Sequence, residues 1–386
     1  MQSFTFHSPT EIIFGKGEET NTGTLAKKYG GNKIFVVYGG GSVVKSGLLD
    51  RVVASLAGME YCLFGGVQPN PLLSHAREGV QKAIEFGADF ILAVGGGSVI
   101  DTAKGIAHGA KNPSIDIWKF WKREEIVPAS LPIGVVLTIS AAGSETSNSA
   151  VLTDEVKGEK RGLNTEFNRP CFTIMNPELT YSVPKYHMAA GIADIMMHTM
   201  DRYFTQETEA NELTDAIAAG LLRTMIKNAP ILLDNPTDYN AASEIMWCGS
   251  LSHNGITGLG RPFDFSVHGI GTELSGRFDA SHGATLTTMW GWWAQYVKDI
   301  NPARFEKYAR DVWGVEGADA GITATVDFFK SIGMPTNFTE LGIGVQPDNV
   351  IEEMANSAVF YGGRKVGNFK PLEAADVAAV YRLANR

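Results

Sequence analysis

Short apolar runs alternate with amphipathic stretches over roughly the first 180 residues of the chain. Five runs have the length and composition of buried strands: 33–38 (KIFVVY), 61–66 (YCLFGG), 89–94 (DFILAV), 133–138 (IGVVLT) and 171–176 (CFTIMN). Segments with helical spacing of apolar residues, such as LLDRVVASL and AREGVQKAIEFG, lie between them. This alternation predicts a parallel sheet with helices on its faces.

From residue 184 onward the strand signals fade and helical periodicity dominates. The segment TDAIAAGLLRTMIKNAP has its apolar residues on one helical face, and we expect that helix to end at Pro230. The sequence therefore predicts an α/β domain over residues 1–183 and a helical domain over residues 184–386, with a ligand cleft where they meet.

Composition and charge narrow the possible partners. The net charge of -9 argues against a nucleic-acid or anionic-membrane surface, and no run approaches the roughly 18 apolar residues of a membrane span. The first residues lack the pattern of a signal peptide, and three well-separated cysteines (Cys62, Cys171 and Cys248) form neither a disulfide framework nor a metal cluster. We expect a cytoplasmic protein with a small-molecule ligand.

Two predicted strands end in nearly the same sequence, YGGGSVVKSG at 38–47 and VGGGSVIDTAK at 94–104. Glycine lets the backbone approach a ligand, and the following helix start offers free N–H groups and a partial positive charge, as a phosphate requires. Neither loop has the G-x-G-x-x-G spacing, and each could be a simple tight turn. Two such loops at the carboxyl ends of strands in one sheet favour a dinucleotide.

A third small polar segment, TISAAGSETSNSAV at 138–151, also follows a predicted strand. Thr138 and Ser144 could donate hydrogen bonds to a cofactor, although hydroxyl-rich loops are more often plain turns.

Four side chains are candidate metal ligands. Asp194 and His198 lie four residues apart in the apolar segment GIADIMMHTMDRYF, so they share one helical face with Cβ atoms about 5–6 Å apart. His268 and His282 are each followed by glycine, which we interpret as room for a ligand. One carboxylate and three imidazoles suit a divalent first-row metal with a free position for substrate. The spacing alone also fits a simple Asp–His hydrogen bond, and the other five histidines are interpreted mostly as surface or packing residues.

Taken together, these motifs resemble the iron-containing (group III) alcohol dehydrogenases, in particular the branch of NADPH-dependent aldehyde reductases and butanol dehydrogenases. The resemblance is carried in order by the opening phrase TEIIFGKG, the GGGS loops, G-S-E at 143–145, NPELT at 176–180, and the Asp-x-x-x-His and His-Gly motifs. It implies a dinucleotide-binding α/β domain with a parallel sheet followed by an all-helical domain, as in dehydroquinate synthase, and a homodimer.

The resemblance also implies roles for individual residues. The expected ligands of a divalent metal, with Fe²⁺ as first choice and Zn²⁺ or Mn²⁺ as alternatives, are Asp194, His198, His268 and His282. The expected pyrophosphate loop is Gly95, Gly96, Gly97 and Ser98. Further cofactor contacts are expected at Asp101, Thr138, Ser144 and Lys160. Apart from the resemblance, we expect the substrate pocket to include Phe265, one turn before His268, and Asn148, in the third polar segment.

The first glycine loop bears on the choice of cofactor. NAD-specific enzymes usually hold the adenosine ribose 2′-OH with an acidic side chain, and in NAD-using relatives of this family an aspartate occupies the position matching Gly39. The stretch IFVVYGGGSVVKS contains no acid. We therefore expect NADP(H), with the 2′-phosphate at Gly39, Gly40 and Ser42, although a loop without an acid could also accept NAD.

Two positions depart from the family pattern. Relatives often carry a further histidine four residues after the third ligand, where this chain has Thr272, so that proton relay is not carried over. Ala142 replaces a threonine that is common in relatives, and one cofactor contact is expected to be lost.

The expected activity is metal-dependent hydride transfer between NADP(H) and short- to medium-chain aldehydes or primary alcohols. Large apolar residues that could line the pocket, but that at helical spacing are usually core, are Met289, Trp290, Trp292 and Trp293. One alternative is an NAD- and metal-using enzyme of the dehydroquinate-synthase or glycerol-dehydrogenase kind. A dehydroquinate-synthase-like reaction needs several cations, and we identify only Lys160, Arg261 and Arg277 as candidates near the expected ligands. A silent nucleotide-binding protein is a further alternative, which the complete ligand set disfavours.

Overall fold

The computed structural model describes residues 1–386 as two compact units. His7–Val183 form one unit, and Pro184–Arg386 together with Met1–Phe6 form the other. The sequence places the first six residues in the α/β domain, whereas the structure groups them with the helical unit. Backbone contacts explain this, because Gln2 N donates to Gly260 O at 3.0 Å and the Met1 amino group pairs with Glu209 at 2.5 Å.

The first unit is built on a six-stranded parallel sheet of β1 (Glu11–Phe14), β2 (Lys33–Tyr38), β3 (Glu60–Phe64), β4 (Phe90–Gly95), β5 (Ile133–Leu137) and β8 (Phe172–Met175). These strands lie in the order β1-β8-β5-β4-β2-β3. Strands β4 and β5 are buried at every residue, as expected for the centre of a sheet covered on both faces. The predicted parallel sheet is thus confirmed.

Two more strands form an antiparallel hairpin outside the main sheet, β6 (Ser149–Asp154) and β7 (Glu159–Asn164). The helices of this unit are α1 (Thr22–Lys28), α2 (Gly41–Lys45), α3 (Leu48–Ser55), α4 (Leu73–Phe86), α5 (Gly97–Lys111) and α6 (Trp118–Trp121). Because β2 and β4 are neighbours in the sheet, the two glycine loops that follow them leave the same edge side by side.

The second unit is helical, as predicted. Its helices are α7 (Lys185–Tyr203), α8 (Glu212–Asp234), α9 (Tyr239–His253), α10 (Ser266–Phe278), α11 (His282–Val297), α12 (Pro302–Tyr308), α13 (Ala318–Ser331), α14 (Phe338–Leu341), α15 (Asp348–Ala358) and α16 (Ala374–Ala384). A π-helical turn, Ala309–Trp313, follows α12. Helix α7 is buried from Met188 to Tyr203 and packs against α8, α9 and α11, which puts its polar side chains inside the unit.

The predicted end of α8 at Pro230 is wrong, because the helix continues to Asp234. Proline removes the hydrogen bond to the carbonyl four residues earlier. Leu232 and Leu233 nevertheless lie buried at 3% and 6% exposure, and their packing holds the last turn helical. Helix α8 also has the length and apolar composition of a membrane span, but half of that stretch is buried within the unit, as in a core helix.

Candidate metal centre

Three helices bring the predicted ligands together. Asp194 and His198 project from the buried helix α7, His268 lies in the first turn of α10, and His282 is the first residue of α11. Helices α10 and α11 pack against each other and against α7. Asp194 and His198 are only 5% and 4% exposed, so their polarity requires a partner inside the protein.

The distances within this cluster fit a bound cation. The Nε2 atoms of His198 and His268 each lie 3.5 Å from Asp194 Oδ1, and that of His282 lies 3.8 Å from it. These separations exceed those of good N–H···O hydrogen bonds, about 2.7–3.2 Å. A tetrahedral ion with bonds of about 2.0–2.2 Å holds its ligand atoms about 3.4 Å apart. Asp194, His268 and His282 place ligand atoms within 4.8 Å of one another, and His198 reaches the same Asp194 oxygen, so the residues present fit a divalent metal.

Asp201 supports the third ligand from behind. Its Oδ2 lies 2.5 Å from Nδ1 of His268, and the residue is only 1% exposed. This contact directs the opposite ring nitrogen toward Asp194 and fixes the ring orientation, as carboxylates commonly do for metal-binding histidines. Burial alone would lower the pKa of His268, but the Asp194 and Asp201 carboxylates raise it to about 9. The negative charge of these two carboxylates, which favours a proton on His268, also favours a metal cation beside it.

Asp201 is not among the residues predicted from the sequence, although its position along α7 is informative. It lies seven residues after Asp194 and three after His198, so helical spacing places it on the same side of α7.

A column of stacked imidazoles surrounds His198. Its ring lies 4.0 Å from the ring of His253 and 4.2 Å from that of His268, measured between centroids. Burial, together with these neighbouring rings, lowers the pKa of His198 well below its usual value, which keeps the imidazole in the neutral form that binds metals. His253, interpreted from sequence as a surface or packing histidine, thus lies at the centre itself.

Phe265 forms an aromatic wall beside the histidines. Its ring centroid lies 5.2 Å from that of His268 and 6.0 Å from that of His198, and the guanidinium of Arg202 stacks on the ring at 4.8 Å. Arg202 Nη1 donates to His198 O at 2.8 Å, and burial lowers the pKa of Arg202 to about 10. Of the two expected substrate-pocket residues, Phe265 is therefore next to the candidate metal ligands, whereas Asn148 belongs to the other unit.

The glycines after the two ligand histidines serve packing, which corrects the interpretation that they leave room for a ligand. A Cβ on Gly283 would lie 2.0 Å from Ala190 O of α7, and a Cβ on Gly269 would lie 2.5 Å from a methyl group of Val366. Both glycines therefore allow a ligand-bearing helix to approach its neighbour.

The large apolar side chains of α11 belong to the core of the helical unit. Met289, Trp290 and Trp293 are fully buried, and Trp292 donates to Thr336 O. The packing interpretation holds for these residues.

The glycine loops of the α/β unit have unequal space around them. Gly95 and Gly96 are required by packing, since added Cβ atoms would lie 2.5 Å from Val99 and 2.1 Å from Ile139. A Cβ added to Gly40 or Gly97 would have no other atom within 4 Å, so these two positions are open. Gly97 and Ser98 open the 15-residue helix α5, whose free N–H groups suit an anion.

Asp101 and Ser144 form part of a buried network with Lys104, a residue that is not among those predicted from the sequence. Ser144 Oγ donates to Asp101 at 2.6 Å, and Lys104 Nζ donates to both oxygens of Ser144 at 2.8 Å. Burial lowers the pKa of Lys104 to about 8. The network ties α5 to the polar segment that follows β5.

The remaining predicted contacts lie around the same unit. Thr138 donates its N–H to Gly95 O at 3.1 Å, which joins the end of β5 to the second glycine loop. Lys160, on the hairpin, donates to Asn70 at 2.9 Å, and Asn148 donates to Glu166 at 3.0 Å.

Comparison with known proteins extends across the chain. A family model described as iron-containing alcohol dehydrogenase matches residues 9–177, and one described as Fe-containing alcohol dehydrogenase family, C-terminal, matches residues 188–385.

Individual relatives are similar over nearly their whole length. The chain is 36% identical to NADH-dependent butanol dehydrogenase A of Clostridium acetobutylicum, over 99% of both chains. It is 34% identical to the NADPH-dependent aldehyde reductase YqhD of Escherichia coli, over 89% of this chain and 90% of the reductase. The crystal structure of NADH-dependent butanol dehydrogenase A from Thermotoga maritima matches with a TM-score of 0.95 and 34% identity, over 100% of this chain and 99% of that one.

Proposed function

Because the chain belongs to the iron-containing alcohol dehydrogenase family, and is thus an oxidoreductase, we propose that it interconverts short- to medium-chain aldehydes and primary alcohols with NADP(H) and one divalent metal. The observation that carries the proposal is the convergence of three imidazole Nε2 atoms on Asp194 Oδ1 at 3.5–3.8 Å. Four protein ligands still admit a substrate oxygen where the ion expands to five-coordinate, as catalytic zinc ions can.

The chain's own residues then have defined tasks. Asp194 and the three histidines hold the ion, Asp201 orients His268, and Phe265 shields the ligands with an apolar face. The main-chain N–H groups at the start of α5 bind the cofactor pyrophosphate. When bound, the ion supplies Lewis-acid polarisation of the carbonyl and the nicotinamide supplies the hydride.

The metal part of the proposal is tested on purified protein. One divalent ion per chain is expected, with iron as the functional ion and zinc as an occupant acquired in handling, since zinc binds such sites more tightly than Fe²⁺. His268→Ala should abolish both metal retention and turnover while cofactor binding survives. Full activity in rigorously metal-free protein contradicts the proposal.

The preference for NADP(H) rests on the first glycine loop. The loop between β2 and α2 has no acidic side chain to repel a 2′-phosphate. A Cβ placed on Gly41 would lie 3.9 Å from Lys45 Nζ, so the lysine amino group lies over the loop backbone. The named relatives divide between NADH and NADPH, which makes this loop the feature to test.

Gly39→Asp tests the loop directly. An added Cβ at Gly39 makes only ordinary contacts, at 3.5 Å and beyond, so the side chain fits. The ratio of kcat/KM for NADPH to that for NADH should fall at least about tenfold, because the new carboxylate opposes the 2′-phosphate. Ala57→Asp, which adds the same charge at an exposed position just before β3, at the sheet edge opposite to the glycine loops, is the matched control. Equal use of both cofactors by the unchanged protein, or an unaltered ratio in Gly39→Asp, refutes this assignment.

The cations near the ligands are already engaged, which supports a neutral substrate. Arg261 pairs with buried Asp215, Arg277 pairs with Glu353 at 2.9 Å, and Arg202 is buried against Phe265. Butanal reduction should therefore exceed glycerol oxidation in kcat/KM near pH 7, where release of a proton also disfavours oxidation. A higher kcat/KM for glycerol oxidation than for butanal reduction contradicts the proposed substrate class. We also propose that the protein is a homodimer, and sedimentation would measure its mass in solution.

A further inference from the structure

The turn before α10 contains a buried carboxylate with no cationic partner. Asp264 is 3% exposed, and its carboxylate accepts four hydrogen bonds, all from neutral donors. Burial, together with nearby Asp201, raises the pKa of Asp264 to about 6, which shows how unfavourable the charge is at this place. An acid retained in such a setting calls for a role that an apolar residue could not fill.

The four donors come from two distant parts of the chain. Ser266, the first residue of α10, donates its N–H at 3.0 Å and its Oγ at 2.9 Å. Asn368 and Phe369, more than 100 residues later, donate their N–H groups at 2.9 and 2.7 Å. Asp264 N itself donates to Asp201 O at 2.8 Å. A single carboxylate thus joins the start of α10, the C-terminal segment and α7.

The C-terminal segment Val366–Phe369 fits closely against the same helix start. A Cβ on Gly367 would lie 1.8 Å from Ser266 Oγ, and Gly367 has a φ of +78° that favours glycine. Val366 packs against Gly269, the residue after the metal ligand His268. The turn held in this way includes Phe265, whose φ of +58° is unfavourable for a bulky side chain.

We propose that Asp264 is a positioning residue for the metal, through which the segment Val366–Phe369 fixes the first turn of α10 and hence the aim of His268. The inference rests on the proposed metal centre. His268 lies one turn beyond Asp264, so a shift of the turn moves its Nε2 relative to Asp194, and metal affinity falls even where the unit remains folded.

Asp264→Asn is the test, with Co²⁺ as the probe and its dissociation constant as the readout. The amide has the same shape but turns an acceptor into a donor that faces other donors. We expect the Co²⁺ dissociation constant to rise at least about tenfold and the visible spectrum of the bound ion to change. Effects of this size are typical when a residue that holds a metal ligand in place is removed. Ser266→Ala, which removes one of the four bonds, should weaken binding by a smaller factor and serves if Asp264→Asn does not fold.

The matched control is Asp376→Asn. Asp376 is another partly buried carboxylate of the same unit, bound to Lys370 at 2.6 Å and Tyr296 at 2.7 Å, and none of its hydrogen bonds reaches α10. Its loss should lower the urea midpoint of the metal-free protein and leave Co²⁺ affinity within about twofold. Unchanged Co²⁺ affinity in folded Asp264→Asn and Ser266→Ala overturns the inference alone. Absence of Co²⁺ binding by the unchanged protein overturns both it and the metal centre.

Discussion

Asp201 offers a quantitative test of how the protein sets its metal affinity. The residue is 1% exposed, and its Oδ2 contacts His268 Nδ1 at 2.5 Å, so the pair forms a charge-assisted bond away from water. Replacing such an outer carboxylate typically weakens metal binding about 10–100-fold, or about 1.4–2.7 kcal/mol.

Two substitutions at Asp201 should fall at different points of that range. Asp201→Asn keeps an oxygen that accepts the Nδ1 proton and loses only the charge, so we expect a change near the lower limit of about tenfold. Asp201→Ala also leaves the buried Nδ1 without its acceptor, which costs a further 1–3 kcal/mol or so, and we expect a change near or above about a hundredfold.

The assay is competition for Zn²⁺ or Co²⁺ with a chromophoric chelator, at a pH where the protein remains folded. NADPH binding, followed by nicotinamide fluorescence, is the internal control, because the glycine loops belong to the α/β unit. Both variants binding metal within about twofold of the unchanged protein would falsify the assignment of Asp201. Equal effects of Asn and Ala would show that the charge, and not the hydrogen bond, carries the effect.

Three further substitutions test the fold. Burial lowers the pKa of His108 to about 4, so the unfolded protein takes up a proton at this residue before the folded protein does, and the free energy of unfolding falls as the pH drops from 6.5 to 4. In urea unfolding, His108→Gln should lose about 3 kcal/mol less over that pH range than the unchanged protein does. An equal dependence of the unfolding free energy on pH in the two proteins contradicts this. Gly283→Ala should destabilise by at least about 2 kcal/mol, because its Cβ meets Ala190 O at 2.0 Å, and a neutral result refutes the close approach. Pro230→Ala should stabilise the protein by about 1–3 kcal/mol, because the alanine N–H can donate to the carbonyl four residues earlier, and an unchanged or lower melting temperature contradicts this.

The sheet of the α/β unit could be predicted because its strands are buried on both faces. Runs such as FILAV in β4 are apolar at every position, which leaves no competing assignment. β1 has only four residues at one edge, and the β6–β7 hairpin is rich in polar residues, so neither stands out by hydrophobicity. Such strands form because they pair with a neighbouring strand, and a single sequence does not reveal that pairing.

Elements whose position depends on distant contacts escaped prediction for the same reason. Pro230 normally ends a helix, and only the burial of Leu232 and Leu233 overrides that rule. Lys104 and His253 have ordinary local surroundings in the sequence, and their roles arise from the loop and the ring that they meet across the fold. Asp201 differs from these, because its helical spacing from Asp194 is visible in the sequence.

The two turns that deliver His268 and His282 show why local sequence rules fail at this site. Phe265 and Asp279, each three residues before a ligand histidine, have φ values of +58° and +49°, where glycine is normally favoured. Each conformation costs about 1–3 kcal/mol and persists only when surrounding contacts over-determine it. Around Phe265 those contacts are the four bonds to Asp264 and the stacking of Arg202. Glycine at either position would relieve the strain and leave the turn free to relax. At Phe265 the turn is therefore fixed by identifiable contacts with Asp264 and Arg202, which local sequence rules do not include.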